Sequence, residues 1–128
     1  MLANAPAYSG FAVNDLDRAQ RFYGETLGLK TEKLDDALLT LHLANDRPTL
    51  VYLKPDFAPA TYTILNFPVE DVEATVDELG QRGVRFERYD GFDQDDRGIS
   101  RGEGPTIAWF KDPAGNILAV HEGDPTQS

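Results

Sequence analysis

Apolar residues in the first half of the chain follow two patterns, one typical of a helix and one typical of strands. Between Leu16 and Leu27 the apolar residues recur at helical spacing, which predicts a helix. Asp15 precedes this stretch as a helix N-cap would, and Gly28 follows it as a helix terminator would. Runs of strand-forming residues flank the helix and predict four strands, at 7–13, 28–32, 37–43 and 49–53. The first half is therefore predicted to be a strand-helix-three-strand unit.

The second half repeats this pattern. Segment 11–16 (FAVNDL) recurs as segment 67–72 (FPVEDV), at an offset of 56 residues. Asp71 or Glu70 is placed to cap a second helix, which Gly83 ends. The strands predicted in this half lie at 61–67, 84–89, 106–110 and 116–121. Because neither unit can bury its apolar sheet face alone, the two halves are predicted to share one core.

The length of the chain bounds the domain organisation. With 128 residues we expect a single domain over 1–128, with a first module at about 7–58 and a second at about 60–122. Segment 54–59 carries two prolines and is the natural seam between the modules. The predicted fold class is α+β.

Composition and charge narrow the classes of function. The formal net charge is −10 and the 12 basic residues are scattered, which argues against nucleic-acid binding and favours a cationic ligand, if the acid does more than keep the protein soluble. No cysteine is present, so a disulfide, a thiolate metal ligand and a cysteine nucleophile are excluded. No apolar run has the length of a membrane span, and segment 1–6 does not read as a signal peptide. We therefore expect a cytoplasmic protein that binds neither membrane nor nucleic acid.

Three motifs carry a resemblance to a known family. Segments 13–16 (VNDL), 22–29 (FYGETLGL) and 110–116 (FKDPAGN) resemble the vicinal oxygen chelate superfamily, which includes glyoxalase I, extradiol dioxygenases, fosfomycin resistance enzymes and bleomycin resistance proteins. The resemblance extends over about 8–122. It implies two tandem βαβββ modules whose mixed sheet curls into a cup with the helices outside, assembled as a homodimer.

The resemblance also implies where a metal ion would be bound. Metal-dependent members place one ligand on the first and one on the last strand of each module, and here those positions are Tyr8, Tyr52, Ile64 and Ala119. A divalent cation needs His, Glu or Gln at such positions. We therefore expect no metal and no other cofactor.

The two histidines leave one alternative open. His121 lies two residues beyond Ala119, and His42 lies on the predicted hairpin of the first half. Either side chain fits a hydrogen-bonded histidine near a strand end. A 2-His-1-carboxylate triad would require both to converge with one Glu.

Strand alternation, combined with these positions, assigns a face of the cup to ligand binding. Gly10, Ala12, Leu50 and Ile117 belong to this face. The residues that we expect to bind the ligand are Tyr8, Tyr52, Ile64, Asn66, Ile107, Trp109, Ala119 and His121. Trp109 is the favoured contact because it is the only tryptophan and offers a flat face to an aromatic or cationic ligand. The alternative is that these side chains fill the mouth of the cup.

The polar segment 90–104 is rich in glycine and acid. Its carboxylates are Asp93, Asp95, Asp96 and Glu103. Glycines permit hinge motion, so the segment could be a lid over the cup, with a solvated surface loop as the equally good alternative.

Three functions remain open from the sequence, and no catalytic residue is assigned. The first is metal-independent binding of a small hydrophobic or aromatic molecule, including a cationic one, as in the antibiotic-sequestering bleomycin resistance branch. The second is a metal-dependent lyase, isomerase or dioxygenase of glyoxalase type. The third is a non-catalytic interaction module with a closed pocket.

Overall fold

The first compact unit, Met1–Pro59, is built on a four-stranded sheet. The computed structural model describes residues 1–102 and 104–123 of the chain. Within this unit the elements are β1 (Ser9–Val13), α1 (Leu16–Arg21), β2 (Lys30–Lys33), β3 (Leu38–Leu43) and β4 (Arg47–Leu53). The strand order is β1-β4-β3-β2, in which β1 runs parallel to β4 and the other neighbours are antiparallel.

The first helix forms where the sequence predicts it and then changes geometry. Asp15 caps α1, since its carboxylate accepts a hydrogen bond from the Arg18 N–H at 3.1 Å. After Arg21 the helix continues as one π-helical turn, Phe22–Thr26, which turns Tyr23 fully into the core. Gly28, with φ 77°, ends the helical stretch in the left-handed region that glycine tolerates.

The second compact unit, Ala60–Ser128, contains a three-stranded sheet. Its elements are β5 (Thr63–Val69), α2 (Val72–Gln81), β6 (Ile107–Lys111) and β7 (Ile117–Glu122), and the strand order is β5-β7-β6. β5 is parallel to β7, and β6 is antiparallel to it. The apolar face of α2 packs against the sheet, burying Val72, Val76 and Leu79.

Two carboxylates fix the start of α2. The Asp71 side chain accepts a hydrogen bond from the Ala74 N–H at 3.1 Å, as the capping pattern predicts. The Glu122 carboxylate accepts a hydrogen bond from the Val72 N–H at 2.9 Å, which joins the helix N-terminus to the end of β7.

The strand predicted at 84–89 is not a regular strand. Phe86 forms a single bridge with Phe110, and the Glu87 N–H donates to the Trp109 carbonyl at 2.8 Å. The side chain of Gln94 replaces further strand pairing, because it accepts from the Tyr89 N–H at 2.7 Å and donates to the Glu87 carbonyl at 2.9 Å. The second module therefore has three regular strands within the described residues.

The described residues thus confirm a mixed α+β fold with two small sheets. Neither sheet is strongly curled, and the cup remains a prediction. Within the same residues no helix has both the length and the apolar character that crossing a membrane requires.

Candidate functional site

One face of the second sheet gathers the side chains that strand alternation assigned to ligand binding in this half. Asn66 lies opposite Ala119, which in turn lies opposite Trp109. The next row toward the β6–β7 turn holds Thr63, Ile117 and Lys111. The other face carries the buried Phe110 and Leu118, and α2 covers it. Trp109 is thus presented on the side of the sheet away from the helix.

A groove of about 380 Å³ lies beside Trp109. Its lining is mainly aromatic and apolar and consists of Thr61, Tyr62, Thr63, Tyr89, Phe92, Trp109 and Ile117. The volume and the lining match small-molecule sites, which bury an apolar ligand and orient it with a few polar groups.

Two aromatic rings contact the Trp109 ring directly. Phe92 lies 4.9 Å from Trp109 between ring centroids, tilted by 60°, and Tyr89 meets it nearly edge-on at 5.6 Å and 80°. Phe92 and Tyr62 are nevertheless 54% and 69% exposed. The groove therefore offers both a fixed aromatic wall and aromatic side chains that water still reaches.

Tyr89 adds a polar atom to this wall. Its hydroxyl is buried and has no hydrogen-bond partner among residues 1–102 and 104–123. Burial raises the pKa of Tyr89, the Glu87 charge raises it further, and the Lys111 charge acts in the opposite direction. The hydroxyl therefore stays protonated at neutral pH and is available as a donor.

A larger cavity, of about 600 Å³, lies on the helix side of the same unit. It runs between α2 and segment 85–98, and charged side chains such as Arg85, Arg97 and Asp77 line it. Arg97 is already paired with Asp77 and Glu73. Because this cavity is a solvated groove beside ion pairs, we take the aromatic groove as the candidate site.

Most of the predicted lid is anchored. The guanidinium groups of Arg97 and Arg101 both bind Glu73 on α2, and Ser100 exchanges two backbone hydrogen bonds with Ile107 at 2.8 and 3.0 Å. Ile99 is 1% exposed. Only the tip, 90–93, is without such anchors in the described residues, so a lid remains a prediction for this tip alone. Glu103 lies outside the described residues.

Asp95 is the centre of this anchor, and we expect its contribution to stability to depend on pH. Partial burial acts to raise its pKa, but hydrogen bonds from Arg101, Ile99 and Arg97 outweigh burial and lower the pKa from 3.8 to about 2. A lowered pKa means that the stabilisation is complete above pH 4 and is lost as the pH falls toward 2.

We therefore expect Asp95→Asn to lower stability at pH 7 by about 1 kcal/mol after allowance for solvent screening. Thermal melts at pH 7, 4 and 2 should show the gap to wild type closing only below pH 4. The neighbouring exposed Asp96 is the control, and Asp96→Asn should leave the melting temperature almost unchanged at every pH. An equal loss in both variants would contradict the role given to Asp95.

The other predicted binding residues differ in their position and exposure. Ile107 and His121 share a cross-strand row on the same face as Trp109, but His121 is 4% exposed and Ala119 is fully buried. Ile64 sits at a β-bulge between Thr63 and Leu65, outside the ladder, so strand alternation does not assign a face to its side chain. Tyr8 precedes β1 and Tyr52 lies on β4, both in the first unit and exposed.

Sequence reasoning missed the three aromatic residues that line the groove beside Trp109, namely Tyr62, Tyr89 and Phe92. All three lie outside regular strands, where side-chain alternation makes no prediction. The available signal was compositional, since Tyr89 and Phe92 flank Gly91 at the start of an otherwise polar segment.

The residues present do not fit the metal site of the metal-dependent relatives. No group of three His, Asp or Glu side chains that could hold a metal ion occurs in the parts of the chain that the structure describes. His42 Nδ1 lies 2.7 Å from the Asp46 carboxylate, and its Nε2 lies 3.6 Å from Glu32. His121 Nδ1 faces the Glu122 carbonyl at 3.3 Å. Ala119 supplies only a methyl group at a position that the family resemblance assigns to a metal ligand.

Solved structures share this fold at low sequence identity. A glyoxalase family protein from Enterococcus faecalis is 21% identical, with a TM-score of 0.70, over 95% of this chain and 100% of that chain. A genomically encoded fosfomycin resistance protein from Listeria monocytogenes is 14% identical, with a TM-score of 0.71, over 94% and 93%. An antibiotic binding protein from a Streptomyces species is 21% identical, with a TM-score of 0.67, over 92% and 96%.

The family of the chain is shown by the sequence itself. No curated protein is significantly similar to this chain. The profile of the Glyoxalase/Bleomycin resistance protein/Dioxygenase superfamily matches residues 6–120. This match includes all the described strands up to Val120 and both helices. The chain therefore belongs to the Glyoxalase/Bleomycin resistance protein/Dioxygenase superfamily.

Proposed function

We propose that this chain binds a small, largely aromatic molecule in the groove beside Trp109, without a metal ion and without chemistry. The observation that carries the proposal is the aromatic lining, in which Tyr89 and Phe92 contact the Trp109 ring at 5.6 and 4.9 Å. A flat ligand that stacks on such a wall gains both apolar burial and aromatic contact.

We propose a sequestering role because the described lining of the groove contains no catalytic arrangement of residues. Near Trp109 the groove is lined by hydroxyl groups and apolar side chains. Lining of this kind binds and orients a ligand but supplies neither a metal ligand set nor a nucleophile with an adjacent base. The structural similarity to an antibiotic binding protein supports an antibiotic or a toxin as the kind of ligand.

The charge of the ligand is proposed from the chain as a whole. The net charge of −10 favours a cation over an anion at the protein surface. Asp90 and Asp93 flank the exposed tip that carries Phe92. An aromatic ligand with a positive charge would gain from both, and also from the faces of the aromatic rings.

In the test, wild-type protein is titrated with 2-naphthol and binding is monitored through the fluorescence of Trp109. Because Trp109 is the only tryptophan, a saturable change in its emission reports binding at this groove. We expect the same dissociation constant before and after EDTA treatment, and less than stoichiometric metal in protein purified without chelator. No saturable change would contradict the binding function. Loss of binding in EDTA, with one ion per chain, would favour the metal-dependent enzyme.

The homodimer implied by the family resemblance remains part of the proposal. So does the cup that the same resemblance implies. The rival interaction module has its groove closed by its own side chains, and it predicts that no aromatic ligand raises the melting temperature.

A further inference from the structure

We infer that the ligand of the aromatic groove carries a hydrogen-bond acceptor on its ring, a carbonyl or phenolic oxygen. The Tyr89 hydroxyl donates a hydrogen bond to this oxygen. This inference rests on the proposed binding function and narrows the class of ligand. Its basis is a polar atom in the groove wall that the described protein leaves unsatisfied.

The Tyr89 hydroxyl is an exception to a strong rule. Most buried hydroxyl groups in native proteins have a hydrogen-bond partner, and one that has none calls for an explanation. This hydroxyl is buried, and neither residues 1–102 nor 104–123 offer it a hydrogen bond. The other hydroxyl groups in the groove lining belong to Thr61, Tyr62 and Thr63, and none of them is hydrogen-bonded to the Tyr89 hydroxyl.

The backbone around Tyr89 is fixed by hydrogen bonds to the Gln94 side chain. The Tyr89 N–H donates to Gln94 Oε1 at 2.7 Å, and Gln94 Nε2 donates to the Glu87 and Gly98 carbonyls at 2.9 and 2.7 Å. Gly98 has φ 85°, and a Cβ there would lie 3.2 Å from the Glu87 carbonyl oxygen, so only glycine permits this close approach. The backbone that carries the Tyr89 ring is therefore fixed before any ligand arrives, and the ring itself packs edge-on against Trp109 at 5.6 Å.

Phe92 is the side chain that can make way for a ligand. It follows Gly91, whose φ is 89°, and its own N–H makes only a long 3.4 Å bond to the Tyr89 carbonyl. The first firm anchor after it is Gln94. A ligand ring that displaces Phe92 from Trp109 reaches the wall in which the hydroxyl lies, and its oxygen then satisfies the donor.

The experiment compares 2-naphthol with naphthalene, which has the same ring system without the oxygen, on wild type and on Tyr89→Phe. We expect the preference for 2-naphthol over naphthalene to fall about five-fold in the variant, because only 2-naphthol carries an oxygen that can accept from the lost hydroxyl. We also expect the ligand-free variant to melt at the same or a higher temperature, because an unsatisfied polar group has been removed. The melting temperature thus distinguishes the two roles, because loss of a structural hydroxyl would lower the stability of the protein.

Other outcomes are equally informative. An unchanged preference in Tyr89→Phe, with Trp109 emission still responding to both probes, would overturn this inference and leave the binding function standing. A preference that is kept in Tyr89→Phe but lost in Tyr62→Phe would assign the polar contact to the rim and would also overturn it. No response to either probe in wild type would contradict the binding function itself, and this inference with it.

Discussion

Replacement of Trp109 by alanine is expected to weaken binding of 2-naphthol at least about ten-fold, which corresponds to about 1.4 kcal/mol. The indole forms the wall against which Phe92 and Tyr89 pack, so its loss removes the stacking surface and the contact that holds both rings. Isothermal titration calorimetry measures the effect, because the variant has no tryptophan emission.

Two further variants separate stacking from general apolar contact. Trp109→Phe keeps an aromatic face and should lose less affinity than Trp109→Ala. Leu34→Ala removes an exposed apolar side chain far along the chain from the groove and should bind as wild type does. If Trp109→Ala binds 2-naphthol as tightly as wild type, with a melting temperature that shows a folded protein, then the groove is not the binding site.

Local chemistry made most of the secondary structure predictable. Asp15 and Asp71 cap their helices through the hydrogen bonds that the sequence pattern requires, and Gly28 and Gly83 adopt the positive φ of helix termini. These features depend on a few neighbouring residues. They can therefore be recognised without knowledge of the remaining chain.

The segment at 84–89 shows where local chemistry is insufficient. Its sequence is strand-forming, but Gln94, several residues further on, provides the hydrogen bonds that a neighbouring strand would have provided. A side chain that replaces a ladder in this way leaves no periodic trace in the sequence. The prediction of a regular strand there was wrong for this reason.

The candidate site was predictable only in part, and for a related reason. Alternation placed Trp109, Ala119 and His121 on one sheet face, and the register confirms that shared face. Alternation does not predict accessibility, however, and both Ala119 and His121 are buried. It is also silent about Tyr89 and the other groove residues outside strands, which are positioned by turns.

The second large expected effect concerns the β6–β7 turn rather than the groove. Asp112 is 5% exposed, and one of its carboxylate oxygens accepts hydrogen bonds from the Ala114 and Asn116 N–H groups, both at 2.9 Å. The other oxygen accepts from the Asn116 side-chain amide at 3.0 Å. One side chain thus satisfies three donors in the turn that joins the strand of Trp109 to the last strand of the sheet.

Asp112→Ala should therefore lower the free energy of unfolding by about 2–4 kcal/mol, since it removes the carboxylate that accepts from the backbone N–H and the side-chain amide of the buried Asn116. Urea denaturation measures the change as a lower midpoint with an unchanged slope. Asp35 is the matched control, because its carboxylate also accepts from a backbone N–H two residues on, that of Ala37 at 2.8 Å, but at an exposed site. Asp35→Ala should cost well under half as much. Equal losses in the two variants would mean that burial of the Asp112 carboxylate adds nothing to the free energy of unfolding. The turn at 112–116 would then not help to hold β6 against β7.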